Sequence, residues 1–299
     1  MTQSLSIKPG DKIGIISSAR AIHFSEIAFA DSYFREWGLI PVYGNTIGKQ
    51  YQQFAGEDDL RADDLQKMLD DKTIRAIIFA RGGYGTIRII DKIDFTRFME
   101  NPKWLCGYSD ITILHTHVND KLGLPTLHAT MPYSFPRNTE SAITSLRDIL
   151  MGELPVYEIK NDSLNIQGEA EGELIGGNLS ILYSLLGTKY GFNTNNKILF
   201  IEDIDEYLYH IDRMMMSLKL AGKLQGLKGM IVGDFTDMKD NKVAFGNSAE
   251  EIIYEHVQGL SIPVCFHFPC GHIDDNKPLI LGKKIRLSVG DKTKLQYID

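Results

Sequence analysis

Lys103-Trp104-Leu105-Cys106-Gly107-Tyr108-Ser109-Asp110-Ile111 joins a short apolar run to a glycine and a Ser-Asp pair, and a helical pattern continues from Ile111 to Gly123. Trp104 to Cys106 has the length and composition of a buried strand. A strand that turns sharply into a helix lifts the corner residue out of the sheet, beside the helix's first free N–H groups. Ser109 therefore stands where an exposed nucleophile would sit, with the Asp110 N–H as an oxyanion donor. An N-cap role for Ser109 or Asp110 accounts for the same residues.

Upstream, the same alternation repeats. Lys12 to Ser18 reads as a buried strand entered through the Pro9-Gly10-Asp11 turn, followed by a helix from Phe24 to Gly38 with Ile27, Phe34 and Trp37 on one period. Leu39 to Tyr43 is a second strand, Glu57 to Asp71 a polar helix with Leu60, Leu65, Met68 and Leu69 as its stripe, and Ile74 to Ala80 a third strand. Gly85 to Ile93 starts another helix, and Pro125 to Ala129 supplies a fifth strand. Strands alternating with helices of this length predict a parallel sheet covered on both faces. Ligands then collect beyond the carboxyl ends of the strands. The Gly82-Gly83-Tyr84-Gly85 loop and the Ser109 turn both follow strand ends, so they share that edge.

The pattern changes from Met151 to Glu158, which reads as a crossing between a first domain, 1–152, and a second, 153–299. The second half has strand-like pieces from Leu164 to Leu174, then Gly176-Gly177-Asn178 and a helix from Leu179 to Leu186. Lys197 to Ile201 is its clearest strand and runs into Glu202-Asp203, ahead of a helix carrying Leu208, Ile211, Met215 and Leu218 on one side. Leu227 to Phe235 and Ile262 to Phe268 add strands, and Leu279 to Tyr297 alternates like antiparallel hairpins. The expectation is a smaller, mixed α+β domain.

The composition is globular: 299 residues, 43% hydrophobic and 24% charged. A net charge of −7 without a basic stripe speaks against nucleic acid and against polyanionic substrates. The three cysteines, Cys106, Cys265 and Cys270, form no CxxC pair and suit a reducing compartment. Met1 to Asp11 lacks the apolar core of a signal peptide, and no apolar stretch approaches the ~20 residues that span a bilayer. A soluble cytoplasmic protein with no membrane association is expected.

Acyl transfer by serine needs a base within hydrogen-bond reach and an acid that orients the base. His272 lies in a glycine-containing turn after a strand, and Glu202 at the carboxyl end of the Ile198 strand. Asp203, Asp205 and Glu206 are equally placed acids by position alone. The glycines of Arg81-Gly82-Gly83-Tyr84-Gly85 let the backbone approach a ligand, which makes the Gly83 region a second oxyanion candidate; a plain turn explains them too. Nucleotide-binding GxGxxG and GxxxxGK[ST] spacings are absent. Cys265, His267, Cys270 and His272 match no usual zinc spacing. A strand there would place Val264, Phe266 and Phe268 opposite Cys265 and His267. His115 and His117, two apart on a helix, make a poor ligand pair. Met214-Met215-Met216 reads as core filler and Cys106 as buried.

Five segments together, Arg81-Gly82-Gly83-Tyr84-Gly85, Gly107-Tyr108-Ser109-Asp110-Ile111-Thr112, Gly176-Gly177-Asn178-Leu179, Phe200-Ile201-Glu202-Asp203 and Gly271-His272, resemble the LD-carboxypeptidases in order and rough spacing. That serine peptidase family includes murein tetrapeptide carboxypeptidase and the microcin C self-immunity peptidases. The resemblance runs from about Lys8 to the C-terminus. It implies a flavodoxin-like first domain carrying the nucleophile Ser109, and a smaller domain carrying the acid Glu202 and the base His272. It also implies an oxyanion hole from the Gly83 and Asp110 N–H groups, no metal or other cofactor, a cytoplasmic homodimer and a murein tetrapeptide substrate that loses a C-terminal D-amino acid. Arg81 and Tyr84 are candidate substrate-binding residues, since the leaving residue carries a carboxylate. The chain order Ser, Glu, His also fits α/β-hydrolases, but the second glycine of G-x-S-x-G is missing at Ile111. The alternatives are an immunity-type peptidase acting on a peptidyl or aminoacyl nucleotide, an inactive two-lobed binding protein, and a metal hydrolase.

Overall fold

The computed structural model describes residues 5–298, so the first four residues of the N-terminal segment and Asp299 lie outside it. The strands of the first half are β1 (Lys12–Ile16), β2 (Ile40–Tyr43), β3 (Ile74–Phe79), β4 (Trp104–Gly107) and β5 (Thr126–His128). Those that follow are β6 (Val156–Lys160), β7 (Gly168–Asn178), β8 (Lys197–Ile204), β9 (Gly229–Thr236), β10 (Val264–Cys265), β11 (Leu279–Leu281), β12 (Lys284–Val289) and β13 (Lys292–Tyr297). The helices are α1 (Phe24–Glu36), α2 (Asp58–Asp70), α3 (Thr96–Glu100), α4 (Thr112–His117), α5 (Glu140–Leu150), α6 (Leu179–Ser184), α7 (Leu208–Leu220) and α8 (Ala249–Val257).

Among the described residues these make two sheets. The first has the order β11-β5-β4-β3-β1-β2, parallel from β5 to β2. Read from the other edge its first five strands run 2-1-3-4-5, the flavodoxin order. The second has the order β10-β9-β8-β7-β12-β13-β6; β10 to β7 are parallel, and β12, β13 and β6 extend them as antiparallel neighbours. The α/β fold with a flavodoxin-like first sheet and a mixed second sheet is thus as expected. Strand β11 departs from the simple hairpin reading: it pairs antiparallel with β5, Leu279 opposite His128, and so completes the first sheet from late in the chain. Its three residues are fully or almost fully buried, so apolar burial rather than proximity in sequence chooses its partner.

One apolar core is shared by both sheets: Cys106 and Leu127 of the first lie in the same cluster as Ile198, Phe200 and Leu287 of the second. A direct clasp joins α4 to β7. The Asn178 N–H donates to Thr112 Oγ1 at 3.0 Å, and a Cβ on Gly177 would stand 2.5 Å from that same oxygen. Only glycine allows the approach. Among the described residues no helix is long and apolar enough to cross a membrane.

Several local readings shift. The helix expected over 85–93 is two three-residue 3₁₀ turns, Thr86–Arg88 and Ile90–Lys92; the Thr86 N–H is drawn to the Asp110 carboxylate instead. The helix expected from Ile111 to Gly123 is a 3₁₀ turn, then α4, then a π-turn over Val118–Leu122. Leu60 is only partly buried while Arg61 and Asp64 of the same helix are buried. Met214 and Met215 are core, but Met216 is exposed. Strand parity fails at His267, which has φ of 52°: Phe268 then joins Cys265 and Cys270 in one cluster, with Val264 and Phe266 in another.

Candidate active site

Ser109 stands at the carboxyl end of β4 with φ of 63°, a left-handed backbone that costs a non-glycine residue energy and is held by its surroundings. The 3₁₀ turn Ser109–Ile111 begins there and runs into α4. Position 109 thus forms the sharp strand-to-helix corner expected of an elbow rather than an ordinary cap, and no side-chain cap is made at this turn.

The glycine loop after β3 lies against this corner. A Cβ on Gly82 would meet Ser109 Cβ at 3.0 Å and Oγ at 3.2 Å. Gly82→Ala is therefore expected to push the hydroxyl aside by a few tenths of an ångström, lowering kcat by about 10-fold with little change in Tm, as kinetics and thermal melts of the variant would record. Gly83 has φ of 111°, with the Arg20 stem packed where its side chain would go.

Behind the loop sits a buried polar web that only partly shows in the sequence. Asp110 is fully buried, and its Oδ2 accepts the Thr86 N–H at 2.8 Å. Burial raises its pKa, opposed by the hydrogen bonds from Thr86 and by the Arg61 charge. The fully buried Arg61 guanidinium donates to the carbonyls of Ser18 and Gly85 and pairs with Asp58. The Ser18 and Thr86 hydroxyls meet at 2.8 Å. The loops after β1, β3 and β4 are tied together this way. Arg61 lies four residues before Leu65 on the apolar stripe of α2, so the helical period pointed to its burial even though its charge did not.

Glu202, two residues before the end of β8, is 0% exposed, and its Oε2 lies 2.7 Å from His272 Nδ1. Gly271 has φ of 136°, and a Cβ there would stand 3.1 Å from Glu202 Cβ and 3.2 Å from its Oε2. The Gly271 N–H donates to Asn276 Oδ1 at 2.9 Å, which fixes the turn carrying the imidazole. The Tyr108 ring, one residue before Ser109, lies 4.7 Å from the His272 ring. Burial pulls the His272 pKa down, but the Glu202 carboxylate more than reverses this, leaving it raised; Arg137 pulls it back slightly.

The other three acids near Glu202 have different surroundings. Asp203 accepts from Asn178 Nδ2 and the Ser180 N–H at the start of α6, both at 2.8 Å; burial and the Glu202 charge push it up to about 7. Asp205 pairs with Lys239, and Glu206 with the half-buried His210 one turn along. Arg81 donates to the Ala21 carbonyl at 3.2 Å and stacks on the Tyr133 ring at 4.3 Å. Tyr84 is 46% exposed beside Phe54. Cys106 is buried and its thiol is pushed up by burial. His115 bonds the Gly107 carbonyl at 2.8 Å, and burial pulls it down to about 4. Cys265 and Cys270 are buried, and His267 lies toward Asp162.

The two α/β lobes meet where the Tyr108 ring packs on His272, whose Nδ1 contacts the buried Glu202 carboxylate; among the described residues no hydrogen bond joins Ser109 Oγ to the imidazole. Models of the LD-carboxypeptidase N-terminal and C-terminal domains match residues 13–129 and 171–287. The chain belongs to the LD-carboxypeptidase family and is a peptidase, a hydrolase of peptide bonds. A probable murein peptide carboxypeptidase of Bacillus subtilis is 34% identical over 97% of this chain and 94% of its own. The murein tetrapeptide carboxypeptidase of Pseudomonas aeruginosa is 30% identical over 91% of each. Among solved structures, the muramoyltetrapeptide carboxypeptidase of Oxalobacter formigenes superposes with a TM-score of 0.88 at 25% identity, covering 96% of this chain and 99% of that one. The microcin C7 self-immunity protein shares the fold, with a TM-score of 0.87 at 23% identity over 98% of each chain.

Proposed function

We propose that this chain is a serine LD-carboxypeptidase that releases a C-terminal D-amino acid, D-alanine, from murein tetrapeptides in cell-wall recycling. The observation that carries the reading is the 2.7 Å contact of His272 Nδ1 with the buried Glu202 carboxylate, on an imidazole that packs against the residue before Ser109. With Nδ1–H held by Glu202, Nε2 is left as the basic nitrogen. His272 takes the Ser109 proton as Oγ attacks the carbonyl of the L-centred residue. The oxyanion is held by the N–H groups of Gly83 and Asp110, and the D-amino acid leaves as His272 protonates its nitrogen. Water, activated by the same imidazole, then attacks the acyl-Ser109 ester and frees the tripeptide.

The relatives named for murein peptides support this substrate. A cytoplasmic site of action, a homodimer and the 1–152 and 153–299 division belong to the same reading, with no metal or nucleotide taking part. Incubation with L-Lys- and diaminopimelyl-D-Ala tetrapeptides, followed by mass spectrometry, is expected to register loss of one alanine, undiminished by chelator. A fluorophosphonate is expected to label Ser109. Turnover of an aminoacyl sulfamoyl-adenylate with neither tetrapeptide cleaved would replace this reading with the immunity-type one.

A further inference from the structure

The reaction just described sends off a fragment that carries a free α-carboxylate. In an amino acid the carboxylate carbon sits about 2.5 Å from the nitrogen, across two bonds. His272 delivers its proton to that nitrogen, so the counter-cation belongs on the imidazole side of the site and not behind the oxyanion loop. Three arginines border the region. Arg20 lays its stem over Gly83, on the oxyanion side. Arg81 gives one N–H to the Ala21 carbonyl in the loop after β1 and lays its face on the Tyr133 ring. Arg137 is exposed, and among the described residues nothing accepts a hydrogen bond from its guanidinium.

The backbone around Arg137 is pinned to the catalytic loops from both sides. The Arg137 N–H donates to the Ser134 carbonyl at 2.9 Å, and the Ser134 hydroxyl meets the Tyr108 hydroxyl at 3.2 Å. On the other side, Asn138 Nδ2 donates to the Asp274 carbonyl at 3.0 Å and the Thr139 N–H to the same oxygen at 2.9 Å, two residues past His272. The Thr130 hydroxyl in turn holds Asn138 Oδ1. The backbone that carries Arg137 is thus held between the residue before Ser109 and the turn that carries His272, and the Arg137 charge is felt at both the Tyr108 hydroxyl and the His272 imidazole.

We propose that Arg137 receives the terminal carboxylate of the D-residue and so makes the enzyme a carboxypeptidase rather than an endopeptidase. This rests on the LD-carboxypeptidase reading. A planar fork of donors suits a carboxylate, and a charge-assisted pair of this kind is worth roughly 10- to 100-fold in transition-state binding.

The test compares a tetrapeptide ending in free D-alanine with the same peptide ending in D-alaninamide. Wild type is expected to prefer the carboxylate. Arg137→Ala should lower kcat/KM for the acid by 10- to 100-fold and leave the amide within about twofold, so that the preference collapses; Arg137→Lys should keep part of it. Equal losses on both peptides, an unchanged preference, or a preference that vanishes in Arg81→Ala instead would each overturn the assignment. A wild type that cleaves neither peptide and resists fluorophosphonate would bring down the underlying reading and this proposal with it. Intact wild-type turnover marks failure of the Arg137 step alone.

Discussion

Replacing Ser109 by alanine is expected to lower kcat for a tetrapeptide by about 10⁴-fold or more while leaving the fold intact, because loss of one member of the proposed Ser109-His272-Glu202 triad removes most of what such a triad does as a unit. A second substitution at the same place separates chemistry from strain. Ser109 holds φ of 63°, a conformation that glycine adopts freely. Ser109→Gly should therefore be as inactive as the alanine variant yet more stable than wild type, by about 1 kcal/mol or roughly 2 °C in Tm. Kinetics and calorimetry on the two variants check both halves. A glycine variant that is dead and less stable would mean that the corner is held by the serine side chain and not imposed on it. Retention of more than a few per cent of wild-type kcat in Ser109→Ala would remove Ser109 from the nucleophile's role.

Glu202→Gln should cost a comparable factor, about 10⁴ in kcat, since an amide facing Nδ1 no longer fixes which nitrogen is basic. The pH profile carries the second signature. In the proposed role His272 is a base only when neutral, and its folded pKa is raised above 6.5. The acid limb of wild-type kcat/KM should thus have its midpoint above 6.5, with activity rising as pH increases through it. Removing the carboxylate leaves burial in command, and the midpoint should fall below the wild-type value. The linkage to stability has the same origin. A histidine whose folded pKa is raised contributes stability that is complete below 6.5 and is lost as pH rises through the folded value. The urea midpoint of wild type should exceed that of Glu202→Gln by more at pH 6 than at pH 8.5. A gap independent of pH would mean that the pair is not ionised in the native protein.

The first sheet was legible in the chain because its strands are short apolar runs closed by glycine and polar turns, and its helices keep a 3.6-residue period. Ser109 and the glycine loop were legible as neighbours for the same reason: both follow strand ends in a parallel sheet. Long-range choices were not. Nothing local distinguishes Glu202 from Asp203; only alternation along β8 and the distant turn at Gly271 make Glu202 the one that meets His272. Strand β11 was hidden because three apolar residues fit an edge of either sheet, and pairing depends on which edge lies open. The parity slip at His267 comes from one left-handed residue, which a two-residue period cannot foresee. Arg61 keeps the period of the buried stripe of α2, but a guanidinium carries no local sign that backbone carbonyls from distant loops will satisfy it.

The stretch that bears His272 hangs between two moorings: it leaves β10 in the mixed sheet and arrives at β11 in the parallel one. Any shear of one lobe against the other is thereby passed to the imidazole, so substitutions at the Thr112–Asn178 clasp should register as changes in turnover. The same threading makes the halves poor candidates for separate expression. A fragment ending near residue 152 would lack the strand that shields β5 and would present a raw edge prone to self-association.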